Sequence, residues 1–216
     1  MLIKYTERML LALTGLLVCV MASAAGVSED ALSITESQLV SEIQSVKAIH
    51  CDFSQSLVDK NAKLLQSFQG EIAYQRPDQF YWHAGEPLSQ TIASNGDKIW
   101  HLDTDLEQLI VQSYLDQADQ ALLLSVLQKP ASLFDNYHAV SSETKEHERY
   151  YSLSAKHQSA ALASLRISFY KTQLTRFEFV DGLTQTTTIV LSNCDKYLAM
   201  PSFVLEAPEG FDIIHE

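Results

Sequence analysis

Residues Phe68–His83 read FQGEIAYQRPDQFYWH. Phe68, Gly70, Ile72 and Tyr74 alternate with Gln69, Glu71, Ala73 and Gln75, the period of two that gives a strand one apolar and one wetter face. Pro77 interrupts it, because proline has no N–H for the ladder and forces Arg76 into an extended conformation. Phe80, Tyr81 and Trp82 then resume as a second strand. Arg76 is thereby predicted at the mouth of a hairpin, beside a cluster of aromatic side chains.

Outward from this hairpin the chain changes period several times. Ser33 and Glu36 have the spacing of a capping box, and Leu39, Ile43 and Val46 behind them form the narrow apolar stripe of an amphipathic helix. From about Ile49 the period becomes two, with Cys51, Phe53 and Leu57 on one side. Asn95-Gly96 is the strongest hairpin signal, since both residues accept positive φ; it joins Thr91–Ser94 to Lys98–Leu102, and Gln108–Val111 follows. Asp119–Leu127 and Pro130–Tyr137 read as two short helices, with Pro130 suited to a first turn. Strands return at His138–Val140, Tyr150–Ala155, Leu165–Tyr170, Leu174–Val180 and Thr184–Leu191, with Asp181-Gly182 as another turn, and the tail from Phe203 to Ile214 adds a short strand or loop. There is no repeat, linker or low-complexity tract. One domain is expected, mainly β (α+β): an antiparallel sheet large enough to curl, with helices on its concave side.

Lys4 and Arg8 precede an apolar run from Met9 to Met21 and the small residues Ala22-Ser23-Ala24, which reads as a secretory signal over residues 1–24, cleaved after Ala24 or Ala25. The run is shorter than the roughly 20 residues that span a bilayer. Cys19 follows Val18 rather than a small residue, so it reads as part of the discarded peptide and not as a lipidation site. The remaining domain, 25–216, carries 13 basic and 26 acidic residues, a net charge of −13 once Lys4, Glu7 and Arg8 are removed. Such a surface repels nucleic acid and anionic headgroups. An oxidising compartment permits a disulfide between Cys51 and Cys194, but spacing alone leaves open whether the two meet.

No catalytic constellation stands out. The chain has no Gly-x-Ser-x-Gly elbow, no phosphate-cradling loop and no His-Glu-x-x-His helix. His83 and His101 could approach across neighbouring strands, yet two histidines without a third ligand do not make a metal site. Asp103-Thr104-Asp105 is explained by turn chemistry. Cys51 beside His50 is no thiol–base pair, because neighbours on a strand point to opposite faces. No enzyme, cofactor or metal is expected, and an esterase lacks its nucleophile.

Gly70, Arg76-Pro77, Phe80, Trp82-His83, Ser94-Asn95-Gly96-Asp97 and Trp100, with Phe53-Ser54-Gln55 upstream, together resemble the LolA family of periplasmic lipoprotein carriers in order and spacing. The resemblance runs from the predicted mature N-terminus to the C-terminus and is weaker in the middle. It implies an incomplete, strongly curved antiparallel β-barrel of about eleven strands, closed by a lid of short α-helices. It also implies a periplasmic chaperone that takes up the acyl chains of lipoproteins in a hydrophobic cavity. The partners implied are an ATP-driven inner-membrane releasing complex, which supplies lipidated lipoproteins, and the outer-membrane receptor LolB; a monomer is expected. LolB shares the fold but is itself lipidated, and a soluble product argues for the carrier. The alternative is an envelope sensor of the same fold that binds lipid or a partner protein.

In that family the arginine of the pattern, here Arg76, latches the lid by hydrogen bonds. Phe53, Phe68, Ile72, Phe80, Trp82, Ile92 and Trp100 are the expected sheet lining, and Leu122 and Leu123 the expected lid lining. Three successive leucines, Leu122 to Leu124, cannot all face one way on a helix. Taken alone they suit a helix wedged into an ordinary core; the resemblance instead makes them lid and lining.

Overall fold

In the computed structural model, which describes residues 29–87, 89–113, 122–157, 162–194 and 199–215, helix α1 (Glu29–Ser45) leads into strand β1 (Ala48–Val58). The signal read over residues 1–24 and the helical start at Asp119–Ala121 lie outside the described residues. Leu39, Ile43 and Val46, the predicted stripe of α1, are all buried. Ser33 is not the N-cap, because the helix already begins at Glu29. Its carbonyl accepts a hydrogen bond from Ser37 Oγ at 3.0 Å, and Glu36 reaches away from α1 altogether.

Strands β2 (Leu64–Gln75), β3 (Gln79–Ala84), β4 (Gln90–Asn95), β5 (Lys98–Asp103) and β6 (Gln108–Ser113) follow as a meander. Helix α2 (Leu122–Gln128), a 3₁₀ turn (Pro130–Ser132) and helix α3 (Leu133–Asn136) interrupt it. The second meander is β7 (Tyr137–Lys145), β8 (Glu148–Ala155), β9 (Leu162–Tyr170), β10 (Gln173–Asp181) and β11 (Thr186–Ser192), and β12 (Asp212–His215) ends the chain. The order is β12-β6-β5-β4-β3-β2-β1-β11-β10-β9-β8-β7, so β1 joins the two meanders. Among the described residues the sheet has twelve strands, close to the eleven or so expected, and one pair departs from the antiparallel pattern: β12 runs parallel to β6. β12 and β7 stand at opposite ends of the order, which leaves the barrel incomplete.

Residues opposite one another on antiparallel strands share a face. Ile72, Trp82, Ile92 and His101 therefore lie in one row on the inner face, and Ala73, Tyr81, Ala93 and Trp100 in the adjacent row on the outer face. The Asn95-Gly96 turn decides this register. It sets Ser94 against Ile99, so Ala93 meets Trp100 and Ile92 meets His101. Trp100 is thus not part of the lining that contains Trp82. It packs with Leu109 and Val111 on the outside, covered by Leu205 and Ala207 of the C-terminal segment. That segment starts beside β1, where His50 Nδ1 donates to the Ala199 carbonyl at 2.7 Å, and crosses the outer face to reach β6. His83 and His101 fall on opposite faces, and Asp103 Oδ1 accepts the Asp105 and Leu106 N–H groups, each at 3.0 Å, as a turn requires.

Cys51 and Cys194 form a disulfide with their Cα atoms 4.0 Å apart. The pairing of β11 with β1 creates it: Asp52 faces Ser192, so the chain just past β11 arrives beside Cys51. The bond closes a loop across a separation of 143 residues, and its chief effect is to restrict the unfolded chain. Replacing both cysteines with alanine is expected to cost about 2–4 kcal/mol of stability, measured by urea unfolding against the oxidised parent.

Candidate functional site: the inner sheet face and its helical lid

β2 carries the apolar pattern inward from Phe68 and is followed directly by Arg76, so it presents an apolar surface over its second part and a cation just past its tip. Phe53, Phe68, Ile72 and Phe80 are buried in one continuous core, with Trp82, Ile92 and Leu123 partly buried against it. Phe53 stacks on Trp82 with ring centroids 3.7 Å apart and meets Phe68 edge-on at 6.2 Å. Gly70 makes that stack possible. A Cβ there would stand 1.7 Å from the His83 carbonyl oxygen and 2.9 Å from the Phe53 ring. Seven of the nine proposed lining residues are therefore brought together. Trp100 is on the other face, and the side chain of Leu122 lies outside the described residues.

Above this surface sit α1 and α2. Leu39, Ile43, Leu124, Val126 and Leu127 are at most 2 % exposed and belong to the same core as the sheet residues. Side chains of the helices and the sheet meet directly in that core. A cavity of about 710 Å³ opens at the foot of α1, lined by Val46, Ile49, His50, Leu174, Cys194 and Met200 among others.

The lid is held by polar contacts at helix ends. The last four carbonyls of an α-helix have no partner within the helix, and Arg76 takes one of them in α1 together with the carbonyl of Val46 just past its end. Its Nε donates to Val46 O at 2.9 Å and a terminal guanidinium nitrogen to Ile43 O at 2.8 Å. Two residues earlier, the buried Tyr74 hydroxyl lies 3.2 Å from Leu127 O on α2 and 3.1 Å from Pro77 O, and donates between them. The guanidinium also sits 5.7 Å from the centre of the Tyr74 ring. Burial raises the Tyr74 phenol above its usual value, which Arg76 partly offsets and Asp78 reinforces. The tip of β2 thus ties down both helices, α1 through Arg76 and α2 through Tyr74. Sequence reading missed Tyr74 because its position in the apolar row accounted for it; the signal was a hydroxyl-bearing aromatic two residues before the arginine.

The far side of α1 is tied by carboxylates. Glu42 Oε1 accepts from Arg149 Nε at 2.7 Å and from the Tyr151 hydroxyl at 2.9 Å. Glu36 Oε1 accepts the Ala139 N–H of edge strand β7 at 3.1 Å. The hydrogen bond that Arg149 donates to Glu42, ahead of the Glu42 charge, raises the Arg149 pKa, and burial together with the Glu42 carboxylate pushes the Tyr151 phenol up to about 12.

Among the described residues no group of three or more His, Cys, Asp or Glu side chains could hold a metal ion. A family model described as "Outer membrane lipoprotein carrier protein LolA" matches residues 44–203. The chain is 31% identical over 210 residues to the outer-membrane lipoprotein carrier protein of Pseudomonas entomophila (strain L48), covering 95% of this chain and 99% of that one. It is 29% identical over 181 residues to the protein of the same description from Chromohalobacter salexigens, covering 83% and 86%. A LolA superfamily protein of known structure from Nitrosomonas europaea aligns at 12% identity with a TM-score of 0.39, over 73% of this chain and 91% of that one.

Two outcomes follow from this geometry. Gly70→Ala is expected to lose about 1–3 kcal/mol or more in a urea melt, since the added methyl must part β2 from β3. Tyr151 holds its proton more tightly folded than unfolded, so its contribution is whole below pH 10 and drains away as pH rises towards about 12. Over that window the parent's unfolding midpoint should fall more steeply than that of Tyr151→Phe.

Proposed function

Since the chain belongs to the LolA family of outer membrane lipoprotein carrier proteins, we propose that it is a periplasmic chaperone that binds the acyl chains of lipoproteins between this lid and this sheet face. The observation that carries the reading is the pairing of a continuous apolar inner face with helices held over it by Arg76 and Tyr74. Each methylene withdrawn from water gains roughly 0.8 kcal/mol, so a chain of about 15 gains on the order of 12 kcal/mol. A lipoprotein bearing several such chains needs cover to cross an aqueous compartment, and a carrier that covers it must also let go. A hollow that closes when vacant meets both demands. Acyl chains displace contacts between helices and sheet, and the net affinity is the small difference between two large terms.

Arg76 is proposed as the catch. A hydrogen bond from a charged donor is worth roughly 1.5–3 kcal/mol, enough to bias a two-state lid and little enough for a lipid to overcome. Closing the lid again expels the cargo towards the acceptor. The leader read over residues 1–24 would deliver the chain to the periplasm, cargo would come from an ATP-driven inner-membrane complex, and a LolB-type receptor would accept it. The acidic surface suits a carrier that holds tails and leaves headgroups alone.

The two tryptophans supply a direct test, because Trp82 lies on the inner face and Trp100 on the outer. Single-tryptophan variants titrated with a triacylated lipopeptide carrying brominated chains should show strong quenching of Trp82 and little of Trp100; quenching of Trp100 alone would remove the inner face as the binding surface. Arg76→Leu should still acquire lipoprotein but fail to pass it to the receptor, measured by transfer to outer-membrane vesicles, and undiminished transfer would remove the catch.

A further inference from the structure

Helix α1 is attached on two sides by different chemistry. Towards β2 its own carbonyls accept from Arg76. Towards β7 and β8 its side chains do the work, with Glu36 on the Ala139 N–H and Glu42 on Arg149 and Tyr151. In the sheet order β2 and β8 are separated by β1, β11, β10 and β9, so α1 bridges two distant parts of the curved wall. The two sides are also unequal. The β2 side has two hydrogen bonds from one cation to neutral carbonyls. The opposite side has three, including an ion pair, and Arg149 is itself anchored by donating to the Lys171 carbonyl. In the Glu42–Arg149 pair donor and acceptor are both ionised, whereas Arg76 meets neutral carbonyls.

We infer that Glu36 and Glu42 form a hinge on which α1 swings when Arg76 lets go, so that the lid opens on the β2 side and stays attached along β7 and β8. Glu36 and Glu42 are six residues apart, about 9 Å along the helix, and two attachment points on one rod define an axis. Glu42 can turn about that axis without losing its partners. Its second oxygen, Oε2, is buried with no hydrogen-bond partner among the described residues, and a rotating carboxylate can offer Oε2 where it first offered Oε1. Arg149 and Tyr151 sit two residues apart on β8, one turn of strand pleat on the same face, and keep the carboxylate between them. The arrangement gives the opening a direction: the Phe53, Phe68 and Trp82 side of the sheet is uncovered first, while Tyr151 and Phe169 stay roofed.

This inference rests on the lipid-carrier reading for its purpose but not for its test. Nitroxide pairs on the full oxidised chain, one at Gln44 and Gln75 across the β2 side and one at Ser37 and Val140 across the β7 side, report the two gaps separately. In unliganded Arg76→Leu the Gln44–Gln75 distance should broaden and lengthen while Ser37–Val140 stays narrow. Adding Glu42→Gln should broaden both, and amide exchange over Leu39–Val46 should quicken by about tenfold relative to Arg76→Leu alone, as expected for losing a charge-assisted bond. Equal broadening of both pairs in Arg76→Leu, or no effect of Glu42→Gln on either readout, overturns the hinge. A triacylated lipopeptide added to the parent should reproduce the Arg76→Leu pattern. Failure of that lipopeptide to bind counts against the carrier reading and leaves the result of the unliganded measurements standing.

Discussion

An α-helix that ends against a protein wall must find partners for its last carbonyls, and in this molecule the side chain at the tip of β2 supplies one of them, at Ile43, and takes the Val46 carbonyl just past the helix end. Arg76 reaches Ile43 and Val46 only because Pro77 ends the strand there and Tyr74 supports the guanidinium from below. The contact adds two directional hydrogen bonds from a charged donor to the apolar packing of helix on sheet. Burial alone would make the lid either permanent or absent, depending on how much surface it covers. A few directional bonds between charged and neutral groups add a component that is lost over a fraction of an ångström and regained as sharply.

The twelve-stranded sheet divides its labour between faces. Inside, Phe53, Phe68, Ile72, Phe80 and Trp82 meet the helices. Outside, the C-terminal segment runs from its attachment at His50 to β6, covering Trp100 on the way. The wall is therefore braced from behind by a strap and from one end by the Cys51–Cys194 bond. The helices attach to the wall by polar contacts at the margins and apolar ones in the middle.

Much of this was legible in the residues. Alternation over Phe68–Tyr74, the Asn95-Gly96 turn and the Leu39, Ile43, Val46 stripe are local signals, and each element formed where the pattern placed it. Arg76 was legible as a cation beside an aromatic cluster, and its partners became visible only with α1 in place. What failed did so for reasons of range. Trp100 was assigned to the wrong face because strand faces depend on which residues a turn sets opposite each other, and a step of one exchanges them. Ser33 and Glu36 have capping spacing, but the helix starts earlier and Glu36 serves a strand 103 positions away in sequence. The disulfide depends on β11 lying beside β1, a pairing no spacing rule contains. Glu42 and Tyr151 gave no signal because an ion pair across 107 residues and a phenol in an apolar strand look, one at a time, like a solvated face and a core position.

Leaving the sheet open has a further consequence. A barrel that does not close exposes two rims, and a rim of unsatisfied backbone groups invites another molecule to continue the ladder without limit. On one rim β7 gives the Ala139 amide to a carboxylate from α1 and ends in Glu143, Thr144 and Lys145, where charge discourages an incoming strand. On the other, β12 is only four residues long and runs parallel to its neighbour, too short a template for fibre growth. Both rims of the open sheet are in this way blunted against strand-by-strand growth into a polymer.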